Sequence, residues 1–578
     1  MKKNVLSISI LPICLVLISC GSHDSGSGSF DPAESPLSFS WDEKEEGYWV
    51  KGSSATIKGD ISIPSLYEGE PVIGIDSNAF RLCEGITSIR IPSSVRHIGP
   101  GAFDYRPEGK QLYFEIESMQ KWLSVSGKQH LNRNVHLLYP NGEEIKEAAI
   151  PFGVTEINDY EFASCSFLTS VDIPNSVLSI GSYAFEWCAS LTSISVPESV
   201  LDIGWNAFPG SEPLDKLYHL YHNAYYLGND ENPYLWLICR KNESISSCLA
   251  HERCRHIYSD AFASCRNLTE ITFGRSVESI GDRAFSSCTA LEHLTIPSSV
   301  KSIGYEAFAH CVSLVDLSLE SGVKKIGDGM LLGCKSLSSL FLPASIESVG
   351  DAAFAGCMSL GEIRVDETNP SFASREGVLY DKDIEDLIHY PQAKTGVFAV
   401  PDSLAHIPSN AFDEVAWGYS FSLSPNNLHF SSIGGVLYDK EATRLIRFPY
   451  RAFGEYEFLA SIESIAYHAF FRNELPPLLH LTQNLIEIEE MAFANSTGVE
   501  RLILGKKVTK IGKLAFGAAG VSKLFYEGSQ AEFETASREW EPGCGLGRAA
   551  TFYYSETKPL TPGSYWHYVN GEPTLWNE

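Results

Sequence analysis

Apolar and polar positions recur with a single period over most of this chain. A clear unit reads Leu168-Thr-Ser-Val171-Asp-Ile173-Pro174-Asn-Ser-Val177-Leu-Ser-Ile180-Gly181-Ser-Tyr-Ala184-Phe185-Glu-Trp-Cys188, and Leu191 opens the next one. The Phe of the Ala-Phe pair marks the register. Phe162, Phe185 and Phe208, then Phe262, Phe285 and Phe308, then Phe470, Phe493 and Phe516 follow one another at intervals of 23 residues. Self-similarity at a fixed period of this size is the signature of stacked repeats, because one such unit cannot bury its own apolar face.

Each unit decomposes into three pieces. Leu-x-x-Val-x-Ile ends in a two-residue alternation, which predicts a short strand with its apolar members inward. The Pro that follows withholds a ladder donor and turns the chain. Val-x-x-Ile-Gly predicts a second short strand, with Gly expected to permit the bend after it. Ala-Phe-x-x-Cys-x-x-Leu spaces its apolar groups by three, as a tight helical or 3₁₀ turn would.

Where the Ala-Phe pair fails to recur on time, stepping back one period finds degenerate units: Ile145 to Ile150, Ile245 to Ala250, Phe398 with Val400, and Tyr456 with Phe458. The expected fold is therefore a β-rich leucine-rich-repeat solenoid over 37–530, a curved stack of about eighteen coils of 23 residues with one shared core. Insertions are expected near 109–138, 212–238, 366–388 and 424–446. Two of them repeat each other, Gly377-Val-Leu-Tyr-Asp-Lys382 with Leu387 to Pro391 and Gly435-Val-Leu-Tyr-Asp-Lys440 with Leu445 to Pro449, and each predicts a β-hairpin. The tail after Phe516 abandons the period and is aromatic-rich. Residues 531–578 are expected to cap the open apolar end, with a binding module as the alternative.

The unit Val-x-x-Ile-Gly-x-x-Ala-Phe-x-x-Cys-x-x-Leu-x-x-Ile-x-Ile-Pro closely resembles that of the BspA-like, or Treponema pallidum type, leucine-rich-repeat family of bacterial surface proteins. The likeness covers roughly residues 45 to 530, and Asn223 to Tyr234 and Tyr565 to Gly571 look like further recurrent elements of such proteins. The resemblance implies a cell-surface protein associated with adhesion to matrix proteins, other cells or glycans. It supplies no shared catalytic residues.

Charge and the first residues narrow the partners. Lys and Arg total 44 against 72 Asp and Glu, a net charge of -28 that disfavours nucleic acid or an anionic lipid surface as ligand. Lys2 and Lys3 precede an apolar stretch, Val5 to Ile18, too short and too interrupted for a spanning helix. Residues 1–19 read as a signal peptide. Its end, Leu17-Ile18-Ser19-Cys20, resembles a bacterial lipobox, so Cys20 is expected to carry the lipid and 20–36 to form a flexible Gly/Ser tether, with an ordinary secretory signal as the alternative. The membrane contact would then be that lipid alone.

Candidate chemistry reduces mostly to packing. Eight cysteines, among them Cys188, Cys288, Cys311, Cys334 and Cys357, stand three residues after the marker position, so a buried thiol column explains them, although stacking alone leaves disulfides open. Cys248, His251, Cys254 and His256 have zinc-ligand chemistry, but in repeat register Cys248 takes the slot of Val171 and Cys254 that of Val177. No cofactor is expected. Neither a nucleophile elbow, a phosphate loop nor a singled-out carboxylate pair is present, which points away from an enzyme.

What a repeat stack does offer is an outward column, the residue between the two inward strand slots. It holds Arg90, Asp172, Ser195, Thr272, Thr295, Ser318, Phe341 and Arg364. Phe341 carries apolar area a partner could bury, and Ser318, Phe341 and Arg364 are the expected binding strip. The expected function is a lipid-anchored adhesin or interaction scaffold for an extracellular protein or glycan. A glycan-binding or glycan-processing protein and a structural coat protein are the alternatives.

Overall fold

The computed structural model describes residues 37–51, 57–81, 83, 85–103, 112–128, 135–208, 217–415, 418–449, 456–560 and 563–576. The leader, Cys20 and the tether lie outside them. The chain divides into two compact units, one reaching Ile145 and including Ala163–Ser166, the other comprising Lys146–Phe162 and Phe167–Glu578.

In the first unit an antiparallel hairpin, Ser38–Asp42 with Gly47–Lys51, opens a ladder that continues in parallel through Glu70–Ile75 and His97–Ile98. A second parallel ladder runs Lys58–Ser62, Gly85–Ile91, Leu112–Ile116, Val135–Leu138. The described part of the 109–138 insertion is therefore two more parallel rungs, not a hairpin. Between them lies α1 (Met119–Leu123), whose Ser118 side chain accepts from the Lys121 amide, a normal N-cap.

The second unit is built from the predicted coil. Strands such as Ser170–Asp172 and Ser193–Ser195 pair in parallel with Val171 opposite Ile194, the register a 23-residue step dictates. The short Val-x-x-Ile-Gly strands form their own ladder. His256–Ile257, Ser279–Ile280, Ser302–Ile303, Lys325–Ile326 and Ser348–Val349 belong to one eight-stranded sheet. Inside, the marker aromatics stack coil on coil, Phe162 on Phe185 at 5.4 Å between ring centroids and Phe493 on Phe516 at 4.8 Å. Each is buried, a gain of about 1.5–3 kcal/mol per ring. Repetition of this gain along the stack supplies the core that no single coil has.

The Ala-Phe segment takes the 3₁₀ form of the two expected, as separate turns. Within one coil Ser286 N bonds Arg283 O at 3.0 Å and Cys288 N bonds Phe285 O at 3.2 Å, the three-residue step of a 3₁₀ turn. Alternate amides nevertheless point to the next coil: Arg283 N to Tyr305 O, Phe285 N to Ala307 O and Ser287 N to Ala309 O, at 2.7 to 2.8 Å. That direction requires left-handed backbone at Arg283 (φ 50) and Ser287 (φ 62), so consecutive turns replace a helix. The coil-to-coil bonds offset a left-handed cost of roughly 1–2 kcal/mol per residue.

The recurring Gly after Ile has a different role from the one expected. Gly281, Gly304 and Gly327 do not adopt left-handed backbone. A Cβ on Gly304 would lie 2.6 Å from the Asp282 nitrogen of the preceding coil. Close coil approach, not bending, demands glycine here.

Two of the insertions are three-stranded, one strand more than the hairpins predicted. Phe372–Arg375, Val378–Asp381 and Leu387–His389 form one antiparallel sheet, and Phe430–Ile433, Val436–Asp439 and Arg444–Arg447 form the other. Each is held at its entrance by a buried Asn. Asn369 Nδ2 donates to Pro343 O and Ile346 O, both at 3.0 Å, and its Oδ1 accepts from the amides of Ser371 and Phe372; Asn427 repeats the pattern with Pro401, Leu404, His429 and Phe430. Residues 224–240 form a similar meander, Ala224–Leu227 with Trp236–Arg240, whose last strand joins the short-strand ladder beside His256–Ile257. Of the four degenerate units, those at 147–149, 247–249 and 396–400 form ladder strands. The fourth is not assigned as a strand: Tyr456 and Phe458 pack half-buried on the core, and the Tyr456 hydroxyl shares a hydrogen bond with that of Tyr438 at 2.8 Å.

The thiol column is buried, and it is also hydrogen-bonded. Cys288 Sγ donates to Phe262 O, Cys311 to Phe285 O, Cys334 to Phe308 O and Cys357 to Leu331 O, each at 3.2 Å, so each of these four thiols occupies a second lone pair on a buried turn carbonyl of the preceding coil. Burial pushes the Cys288 and Cys357 thiols up to about 12. With an ordinary value near 9, their thiolate populations fall on the order of a thousandfold. Iodoacetamide at pH 8 is expected to alkylate the partly buried Cys239 before this column, which should react only in denaturant. Rapid native labelling of Cys288 or Cys357, read by mass spectrometry, would contradict that burial.

Candidate interaction surfaces

The main strands present the predicted outward column. His293–Ile296, Asp316–Leu319 and Ser339–Leu342 alternate exposed and buried residue by residue. Thr295, Ser318, Phe341 and Arg364 all face outward, and Phe341 is 47% exposed. Arg364 stands directly opposite Phe341 in the ladder, its guanidinium 2.9 Å from Glu362 on the same strand. Ser318 is not a ladder partner of Phe341: Asp316–Leu319 pairs with His293–Ile296, and Ser339–Leu342 pairs with Glu362–Val365, as two separate sheets. The strip is therefore continuous in position but broken in its backbone bonding. Asp172 and Thr272 are exposed in the same column, Arg90 pairs with Glu115 at 2.7 Å, and Leu249 is a second apolar member.

At the C-terminal end this column is covered. Arg501–Leu504 and Lys523–Tyr526 turn Ile503 and Phe525 outward, yet both are buried. Their cover is the hairpin Tyr565–Val569 and Glu572–Leu575. Trp566 is fully buried against Phe525, 5.5 Å between ring centroids, and its Nε1 donates to Tyr526 O at 3.0 Å; Tyr568 donates to Glu527 at 2.7 Å. The tail thus continues the stack, with Ala550–Tyr554 parallel to Lys523–Tyr526, and then folds over the outward face. The expected cap over an open apolar end describes only part of what it does.

A second surface follows the short-strand ladder. A groove runs from Leu201 and Asp202 past Trp236 to Lys325 and Asp328, with Ser279, Ser302, Gly281 and Gly304 among its lining. In register, the residue after the glycine slot, which Tyr258 fills in one coil, is Ser182, Trp205, Ser259, Asp282, Tyr305, Asp328 and Asp351, so two aromatics interrupt a polar column. Trp205 is 49% and Tyr305 47% exposed. Trp205 Nε1 donates to Asp260 Oδ2 at 2.8 Å, and Arg283 clamps the same Asp260 through two nitrogens at 3.0 and 2.8 Å. The Tyr305 hydroxyl donates to Glu306 at 2.6 Å. Asp282 accepts from the Tyr305 amide at 2.7 Å and Asp328 from the Asp351 amide at 3.1 Å, which fixes both carboxylates beside the groove. Trp205 and Tyr305 are absent from the sequence-based expectations, although their departure from a Ser/Asp column was the available signal.

The residues with zinc-ligand chemistry are parted by the fold. Cys248 and Cys254 lie in the core, with burial pushing both thiols up to about 12. His251 stacks on Tyr234 at 3.8 Å, while His256 stacks on Trp236 at 4.4 Å and bonds the Ser279 hydroxyl through Nδ1 at 2.8 Å. Burial drives His256 down to about 4, so it is a neutral packing group at physiological pH. Among the described residues no three His, Cys, Asp or Glu side chains are grouped closely enough to hold a metal ion.

Coils paired through two parallel ladders around a Phe and thiol spine define a leucine-rich-repeat solenoid with shallow, extended faces. A family model described as BspA type leucine rich repeat region matches residues 58–122, 139–229, 255–375 and 446–536 in 6 copies, and the chain belongs to that family. Among solved structures, a leucine rich cell surface protein of Faecalibacterium prausnitzii A2-165 is 19% identical over 89% of this chain and 98% of that one, with a TM-score of 0.33. The pneumococcal vaccine antigen PcpA is 16% identical over 90% and 93%, TM-score 0.26. The Treponema pallidum leucine-rich-repeat protein is 19% identical over 54% and 91%, TM-score 0.14. No curated protein matches the chain. Among the described residues no helix is long and apolar enough to cross a membrane.

Proposed function

We propose that this chain is a non-catalytic, lipid-anchored adhesin or interaction scaffold that binds an extracellular protein or glycan through the outward column of its main strands. The observation that carries the reading is Phe341. Ile503 and Phe525 occupy the same column and are covered by the terminal hairpin, whereas Phe341 stays 47% exposed with Arg364 beside it. An exposed aromatic on a shallow face supplies area that a partner can desolvate, and Arg adds a directional donor. Ser318 extends the strip on its other side. A dense lipid-anchored array would add avidity to weak single contacts.

Phe341→Ser is expected to weaken capture of the chain's ligand from intact partner cells or matrix by at least tenfold, about 1.4 kcal/mol, with an unchanged melting temperature. Unchanged capture would remove the strip, and a fall in melting temperature would make Phe341 a packing residue. Anchoring is tested separately. Cys20→Ser should release the chain from the membrane fraction and abolish palmitate labelling; retention with full labelling would place the lipid elsewhere.

A further inference from the structure

We propose that the groove along the short-strand ladder binds a neutral, linear polysaccharide, with Tyr305, which lines it, and Trp205, two residues beyond its lining residue Ile203, as stacking platforms. This site is separate from the Phe341 strip and stands or falls on its own. Half-exposed aromatics in a column otherwise built of Ser and Asp need a reason, and here both rings are pre-set. The Trp205 indole is pinned by Asp260, itself clamped by Arg283, and the Tyr305 hydroxyl is tied to Glu306. Rings held this way lose little conformational freedom when a ligand settles on them.

The surroundings suit hydroxyl-rich chains. Ser279 and Ser302 offer hydroxyls, and Gly281 and Gly304 keep side chains out of the lining. Asp282 and Asp328, each fixed by an amide of the next coil, supply oriented acceptors of the kind sugar hydroxyls bond. Successive rungs repeat at about 4.8 Å, close to one hexose in an extended chain, so equivalent groups recur in step with successive sugars.

Charge selects against the other extended polymers. The carboxylates along the groove and the net charge of -28 repel polyanionic glycans. A basic peptide is the competing ligand. It is the weaker choice because cations are already interleaved: Arg283 is paired with Asp260, Arg255 with Glu278 at 2.8 Å, and Lys325 lines the groove itself.

The test is calorimetric titration of the full mature chain with graded neutral gluco-, manno- and xylo-oligosaccharides, a heparin fragment and an oligolysine. At least one neutral series should bind, with affinity rising with chain length and heparin inert. Tyr305→Ser should cost at least tenfold with an unchanged melting temperature, Tyr305→Trp should retain binding, and Phe152→Ser, at an exposed ring outside the groove, should leave it unaltered. The proposal is overturned if no neutral series binds, if Tyr305→Ser binds as well as the parent, or if oligolysine alone occupies the groove.

Discussion

Arg447→Ala is expected to destabilise the second unit by about 3–5 kcal/mol, the usual result of removing one partner from a buried ion pair. Arg447 is 2% exposed and lies where the second inserted sheet meets the coils that follow it. Its guanidinium donates to Asp413 at 2.8 Å, to His468 O and Phe412 O at 2.7 Å each, and to the Tyr419 hydroxyl at 3.2 Å. Asp413 also holds His468 Nδ1 at 2.5 Å. Truncation to Ala leaves the partly buried Asp413 carboxylate with His468 alone and takes the donor from three other acceptors, and that desolvation penalty outweighs the lost Coulomb attraction. The double variant Arg447→Met with Asp413→Leu should recover much of the loss, because no buried charge is left behind. Hydrogen exchange is the right measure, since a long stack need not unfold in one step. Protection should fall first in 412–415, 418–423, 444–449 and 456–470; an Arg447→Ala chain with parental protection there would refute the account.

Gly304→Ala is expected to cost about 3 kcal/mol, at the upper end of overpacking penalties. The added methyl would meet the Asp282 nitrogen at 2.6 Å and the Gly281 carbonyl carbon at 2.8 Å. Both belong to backbone that is itself hydrogen-bonded in the ladder, so neither can move aside without opening a rung. Gly396 is the control. It sits at φ +90 with nothing within 4 Å of an added methyl, so Gly396→Ala costs only backbone strain, roughly 1–2 kcal/mol. Urea titrations of the two variants should rank them in that order; the reverse order would show that backbone conformation, rather than coil spacing, governs the glycines.

Much of the coil was legible because its causes are local and repeated. The alternation around Val171 and Ile194 set the inward slots, and the 23-residue step set their register. Phe341 was legible as outward for the same reason, as were Cys248 and Cys254 as core. What the residue pattern does not reveal depends on contacts far apart in the chain or on backbone direction. Nothing local to Tyr565–Val569 says that Trp566 will cross back onto Phe525 and Tyr526. The spacing of Ala-Phe-x-x-Cys fits a helical turn equally well, and only the coil-to-coil amide bonds make Arg283 and Ser287 left-handed. Tyr456 and Phe458 kept apolar slots yet form no strand, since half-burial on the core satisfies them without a ladder. The interruption between Ser318 and Phe341 has no counterpart in the residue pattern at all.

A parallel stack ends on a strand with free amides and carbonyls, a template on which another molecule could add. Here the outermost strand, Glu572–Leu575, runs antiparallel and carries Pro573, which has no amide hydrogen, next to the charge of Glu572. Another strand approaching this edge would thus find one ladder donor missing and a charge beside the gap, which disfavours edge-to-edge addition.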